Sequence, residues 1–274
     1  MKSDFTHTLI LPVVQRGNLG KSTCMAALAA WVEQRGVLWQ GFDLDPDHQS
    51  FARLFPESVQ LVPLSSEEPE GDVIKIMRLV TATPVTLIDP RAHLSPTILK
   101  AWDMIRFPGT FAETGGRITA LVFAADDLEV MNDLDATVTR LGDSVNYIVV
   151  RNPARSARTR MFDTSELEGE LRRLGAAFVE IPVLLSLARN HLAAKEAELN
   201  RGITHAEAVG SRDLGLDPMV RVLIEDWLRT VFRRFDAIAP HLLPPAYAAK
   251  IAPVDVAPNV SATRRGAKLN LKNL

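Results

Sequence analysis

The 274-residue sequence holds a single cysteine, Cys24. One thiol excludes a disulfide framework and any multi-cysteine metal or iron–sulfur site within one chain. Tyr147 and Tyr247 are the only tyrosines, so there is no tyrosine-rich tail. No run of about 18 apolar residues occurs, which excludes a membrane-spanning helix. The stretch 1–8 is polar and lacks the apolar core of a signal peptide. The formal charge is −2. No global basic field exists, so any nucleic-acid contact must come from a local patch. We expect a protein kept in a reducing cytoplasm, with no integral membrane segment.

What is present is ordinary globular composition, 47% hydrophobic and 23% charged. Short apolar, β-branched runs at 8–14, 37–43, 85–89, 118–124, 145–150 and 178–183 read as strands buried on both faces. Helical patterns fall between them, at 22–35, 97–105, 128–141, 164–174 and 187–201. A long amphipathic helix over 219–238 follows, with Leu223, Trp227, Val231 and Phe235 spaced four apart. Strands alternating with helices predict an α/β fold, a mostly parallel sheet flanked by helices on both faces. We expect one domain over 1–238. Beyond it lie Pro240, Pro244, Pro245, Pro253 and Pro258, then Arg264, Arg265, Lys268 and Lys272 with no acid among them. This composition predicts an extended, basic tail over 239–274.

The segment Gln15-Arg-Gly-Asn-Leu-Gly-Lys-Ser-Thr23 directly follows the first strand and opens the first helix. Such a loop aims unpaired backbone N–H groups at one spot, and the helix dipole adds positive potential there. Gly17 and Gly20 let the backbone approach an anion. Lys21 can reach outer phosphates, and the Ser22 hydroxyl can ligate Mg²⁺. Asn18, Leu19 and Thr23 complete the cradle. The standard G-x-x-x-x-G-K-[ST] loop fails at Gln15, where glycine is required. The variant K-G-G-x-G-K-[ST] fits better, with Arg16 for the first Lys and Asn18 for the second Gly.

Two carboxylate segments end apolar strands, Asp43-Leu-Asp-Pro-Asp47 and Leu87-Ile-Asp89. Strand C-termini are where open α/β sheets bind ligands. Asp89 suits Mg²⁺, with Asp43 a second candidate, and Asp45 suits the orientation of an attacking water. A strand-end Asp taken singly is equally often a helix cap or turn residue.

These segments resemble the MinD/ParA group of deviant P-loop ATPases. Tyr147-Ile-Val-Val-Arg-Asn152 is similar to the group's strand ending in an adenine-reading Asn, and Glu180-Ile-Pro182 to the element after it. The resemblance covers about residues 8–200. It implies ATP and Mg²⁺ as cofactors, ATP hydrolysis, and an ATP-dependent homodimer in which the first loop cation reaches the partner's site. Arg16 stands there, longer and planar where the group has Lys, which implies slow hydrolysis. By the same resemblance, Asp45, Lys21 and Arg16 are the catalytic candidates and Asn152 the base reader. The arginines at 151, 155, 158 and 160, and the basic tail, are the two candidate contacts for DNA or a DNA-bound adaptor, in plasmid partition, conjugation or intracellular positioning. Arg91 is left between two readings, a γ-phosphate contact or a partner for its own loop's carboxylates. Two other functions remain open: a biosynthetic ligase like the dethiobiotin or cobyrinate synthetases, and a nucleotide-bound scaffold with little turnover.

Overall fold

A computed structural model describes residues 5–251. In chain order its elements are β1 (His7–Pro12), α1 (Lys21–Gln34), β2 (Trp39–Asp43), α2 (Ser50–Leu54), β3 (Val59–Leu61), α3 (Pro69–Met77) and β4 (Val85–Asp89). Next come α4 (Ser95–Ile105), α5 (Phe107–Glu113), β5 (Gly116–Ala124), α6 (Leu128–Leu141), β6 (Asn146–Arg151), α7 (Arg160–Asp163), α8 (Glu166–Arg173) and β7 (Ala177–Glu180). The chain continues through α9 (Ser186–Leu199), α10 (His205–Gly210), α11 (Pro218–Ala237), α12 (Ala239–Leu242) and α13 (Pro245–Ala248).

The seven strands form one sheet in the order β3-β2-β4-β1-β5-β6-β7, and every pair is parallel. Parallel strands need crossover connections, and the helices supplying them cover both faces. Leu9, Ile10, Leu11, Leu87 and Val122 are accordingly buried, whichever face each one points to. The register sets Asp43 beside Asp89, so β2 and β4 end on adjacent carboxylates.

Helix α1 is apolar all round, and every residue from Cys24 to Val32 is buried. A helix of that character must be enclosed, and α1 is packed against β4 and α11. Trp31 is fully buried, and its indole N–H donates to Asp236 Oδ1 at 2.9 Å. Arg35 meets the same carboxylate at 2.5 Å, which ties α1 to α11. The expected stripe on α11 does pack inward, with Trp227, Val231 and Phe235 buried. Its start is defined by Asp217, whose side chain accepts from Met219 N–H at 2.7 Å, and by Pro218 in the first turn.

The tail boundary needs correction. Of the residues assigned by composition to the extended tail, 239–243 are held on the sheet and 245–248 form a short helix beside them. Leu242 and Leu243 are buried. The carbonyls of Pro240 and His241 accept from Arg117 at 2.6 Å and Thr119 at 2.8 Å. Prolines here open short helices instead of extending the chain. The basic residues from Arg264 onward lie outside the described residues.

Candidate functional site

The loop between β1 and α1 lies at the C-terminal edge of the sheet, over its central strand. Helix α1 begins with no side-chain cap; its N-cap is Gly20, at φ 86°. The N–H groups of the first turn thus remain free for an anion. Glycine is required at this position for two reasons. The backbone is left-handed, and a Cβ would sit 2.1 Å from Asn152 Nδ2. Asn18 also adopts a positive φ, 64°. Asparagine tolerates that region better than other non-glycine residues, so the loop keeps its shape without the second glycine.

Lys21 is buried, and its ammonium donates to the Arg16 carbonyl at 2.9 Å, closing the loop on itself. Burial lowers its pKa, and the nearby Asp89 and Asp45 oppose that shift. Asp89 is buried as well, and its Oδ1 has no hydrogen-bond partner. Burial pushes its carboxyl up to about 7, with Asp43 and Asp45 adding to the rise while Ser22 and Lys21 hold it down. An orphaned buried carboxylate oxygen beside a hydroxyl is a donor pair suited to a hard cation. Among the described residues no group of three or more His, Cys, Asp or Glu could hold a metal. Mg²⁺ does not need one, because it keeps several waters and shares phosphate oxygens.

Two adjoining cavities meet above the start of α1. One, of about 360 Å³, is lined by Gly17, Asn18, Gly20, Lys21, Asp45 and Asp89, together with Arg91. The other, of about 340 Å³, is more apolar and is lined by Asn152, Ile181, Pro182, Leu184 and Trp227. Ser22, Thr23, Ser50 and Arg155 line both. The result is one elongated groove, polar at the β4 end and apolar at the β6 end.

Four expected site residues have polar groups engaged within the protein. Asp43 spends both carboxylate oxygens on backbone donors: Asp45 N–H at 2.9 Å, and Phe51 and Ala52 N–H at 2.9 and 3.0 Å. It anchors the start of α2, which is the cap role open to any strand-end Asp. Leu19 packs against the core and turns its carbonyl to Asn152, whose Nδ2 donates to it at 3.1 Å. Asn152 Oδ1 accepts from Ala154 N–H at 3.2 Å, so this amide braces the loop. Arg16 points out of the groove, to Asp127 at 3.0 Å and Glu129 at 2.9 Å.

No family model matches the chain, and no curated protein matches it. Solved structures do. They include the MinD cell division protein of Aquifex aeolicus, at 16% identity and TM-score 0.44, covering 82% of this chain and 95% of that one. The septum site-determining protein MinD complexed with Mg-ADP from Pyrococcus horikoshii is 13% identical, with TM-score 0.45 and coverage of 80% and 95%. A plasmid partition protein from Borrelia burgdorferi is 12% identical, with TM-score 0.41 and coverage of 82% and 100%. MinD and partition proteins are not alone among the neighbours, which also include the signal recognition particle receptor FtsY from Elizabethkingia anophelis and FlhF complexed with GTP/Mg(2+). Identity is low throughout, so function is read from the chain's own residues.

Arg155, one of four candidate arginines in the sequence, is set apart from the others by the structure. It belongs to the run of arginines at 151–160, yet the run does not form one surface. Arg151 pairs with Asp163 at 2.6 Å, whereas the Arg155 stem lies over Gly20 and lines both cavities. Nothing in the spacing tells these arginines apart. The turn after Asn152, with Arg155 N–H on the Asn152 carbonyl at 2.9 Å, separates them.

Proposed function

We propose that the chain is an ATP-binding, slowly hydrolysing switch of the ParA/MinD type, which pairs with a second copy when ATP is bound. The single observation carrying this reading is the convergence of Lys21, Ser22 and Asp89 on one cavity at the uncapped start of α1. A helix N-terminus, a buried ammonium and an oxygen donor pair for a cation are the parts needed to hold a Mg²⁺-bound polyphosphate. The apolar cavity beside it suits the nucleoside. Mg²⁺, when bound by Ser22 and Asp89, would offset phosphate charge. Lys21 would hold the phosphates and Asp45 would orient the water.

The dimer is supported by Arg16, whose side chain leaves its own phosphate cavity and ends at an exposed face. DNA or a DNA-bound adaptor as the cargo contact remains a proposal resting on the basic residues from Arg264 onward. One observation favours the scaffold reading with little turnover. Asp45 already accepts from Asp47 and His48 N–H and pairs with His48 Nδ1 at 3.1 Å.

Isothermal titration of ATP and ADP with Mg²⁺ tests the site. Wild type should bind both. Lys21→Ala removes a charge-assisted hydrogen bond worth about 1.5–3 kcal/mol and should lose most of both affinities. Unchanged affinity in Lys21→Ala would refute the phosphate-loop reading.

A further inference from the structure

The geometry points to Arg91 as a sensor of the terminal phosphate, acting within its own subunit and making the site select triphosphate over diphosphate. This rests on the nucleotide reading above. Arg91 lies two residues past Asp89, on the loop leaving β4, and lines the polar cavity. Its segment is held to the phosphate loop on the C-terminal side. Ala92 packs over Gly17, where a Cβ would lie 3.6 Å from the Ala92 methyl. His93 N–H donates to the Gln15 carbonyl at 2.8 Å, and His93 is kept in the left-handed region at φ 64°. A non-glycine residue stays there only where its surroundings over-determine it. The backbone carrying Arg91 is thus fixed against the phosphate loop.

The guanidinium itself is loosely held. Among the described residues its one ion pair is to Asp47 Oδ2 at 3.9 Å, with half of the Arg91 side chain exposed. That contact is too long and too solvated to compete with a phosphate dianion.

The groove gives the order of groups along a bound nucleotide. With the nucleoside at the Asn152 end, the phosphates run from Arg155 and Ser22 toward Asp45, Asp89 and Arg91. Only the last phosphate reaches the β4 end, where two carboxylates already stand. A third anionic group there needs positive charge around it, and Arg91 lines the same cavity as Lys21 and the Ser22–Asp89 pair that would hold Mg²⁺. The planar fork of Arg91 matches a terminal phosphate with three free oxygens. A diphosphate ends short of it and leaves Arg91 with Asp47.

The test is equilibrium binding of ATP and of ADP, each with Mg²⁺, to the full chain as wild type, Arg91→Ala, Arg91→Lys and Asp47→Ala. Arg91→Ala should weaken ATP about tenfold to a hundredfold and shift ADP by less than about twofold. Arg91→Lys should recover part of the ATP loss, keeping the charge without the fork. Asp47→Ala should leave ADP unchanged and not weaken ATP. Equal losses for both nucleotides in Arg91→Ala, or full ATP affinity, would overturn the assignment. A wild type that binds neither nucleotide would overturn the nucleotide reading itself, whatever the variants do.

Discussion

Arg16 Nη1 lies 3.0 Å from Asp127 Oδ2, and Asp127 is also the N-cap of α6, accepting from Glu129 N–H at 3.0 Å. One carboxylate therefore starts a helix and parks the loop cation, with Glu129 as a second acceptor. About half of the Arg16 side chain is exposed. Such a pair contributes at most about 1 kcal/mol. On the proposed dimer, a phosphate presented by a second copy would displace it, and the parked position would be the resting state of that contact.

Arg16→Ala should keep nucleotide binding through Lys21 and Ser22 and abolish ATP-dependent dimerisation. Arg16→Lys should retain the dimer. Asp127→Asn keeps a capping side chain while dropping the charge, so it should dimerise at least as readily as wild type. Light scattering with and without ATP and Mg²⁺ checks all three; equal dimerisation by wild type, Arg16→Ala and Arg16→Lys removes the role.

If Asp45 orients the attacking water as proposed, Asp45→Asn should cut phosphate release by about tenfold or more while ATP stays bound. Phosphate-release kinetics and titration on the same preparation separate the two. If binding and turnover fall together, Asp45 serves only the turn it makes with Asp47 and His48.

Asp89 is a carboxylate buried with one oxygen unpartnered, an arrangement that costs stability unless a cation is present. Asp89→Asn should stabilise the nucleotide-free protein at neutral pH by about 1–3 kcal/mol. It should also erase the gain in melting temperature that ATP and Mg²⁺ give wild type. Thermal unfolding with and without ligand reads both effects, and a variant less stable than wild type without ligand would contradict the first.

His205 lies against Trp227, with ring centroids 4.7 Å apart and the planes tilted by 34°, and burial lowers its pKa from 6.5 to about 4. The fold prefers the neutral ring. Above pH 6.5 neither state is protonated and nothing changes. Between 6.5 and 4 the unfolded chain takes up a proton that the fold refuses, so stability falls as pH falls. At pH 5, about 1.5 units below the unfolded value, the loss from this group is about 2 kcal/mol at most. Urea denaturation at pH 7 and pH 5 should show a smaller drop for His205→Gln than for wild type.

The sequence by itself determined the parts of this protein that depend on neighbours along the chain. Continuous apolar runs such as 85–89 can be satisfied only by burial on both faces, and that strand was legible to the residue. Helix α6 was equally so, from its pattern over 128–141. The loop joining β1 to α1 was legible because a strand, two glycines and a helix start act locally. Edge strand β3 was not. It has three residues, Val59-Gln-Leu61, too few to show a period, and it exists only because β2 offers an unpaired edge. Helices α12 and α13 were hidden by their prolines; burial against the sheet explains α12, with Ala239 and Leu242 buried.

Side-chain destinations were decided by the tertiary structure. Asp43, Asp45 and Asp89 look alike in sequence, as strand-end carboxylates. Backbone N–H groups from α2 take up Asp43, a turn engages Asp45, and Asp89 is left with a free buried oxygen. Likewise Asn152 could have faced a base or a loop, and the Leu19 carbonyl claimed its amide. A carboxylate or amide bonds to whichever donor or acceptor the fold brings within about 3 Å. That partner comes from another strand or helix, at a sequence distance no local pattern encodes.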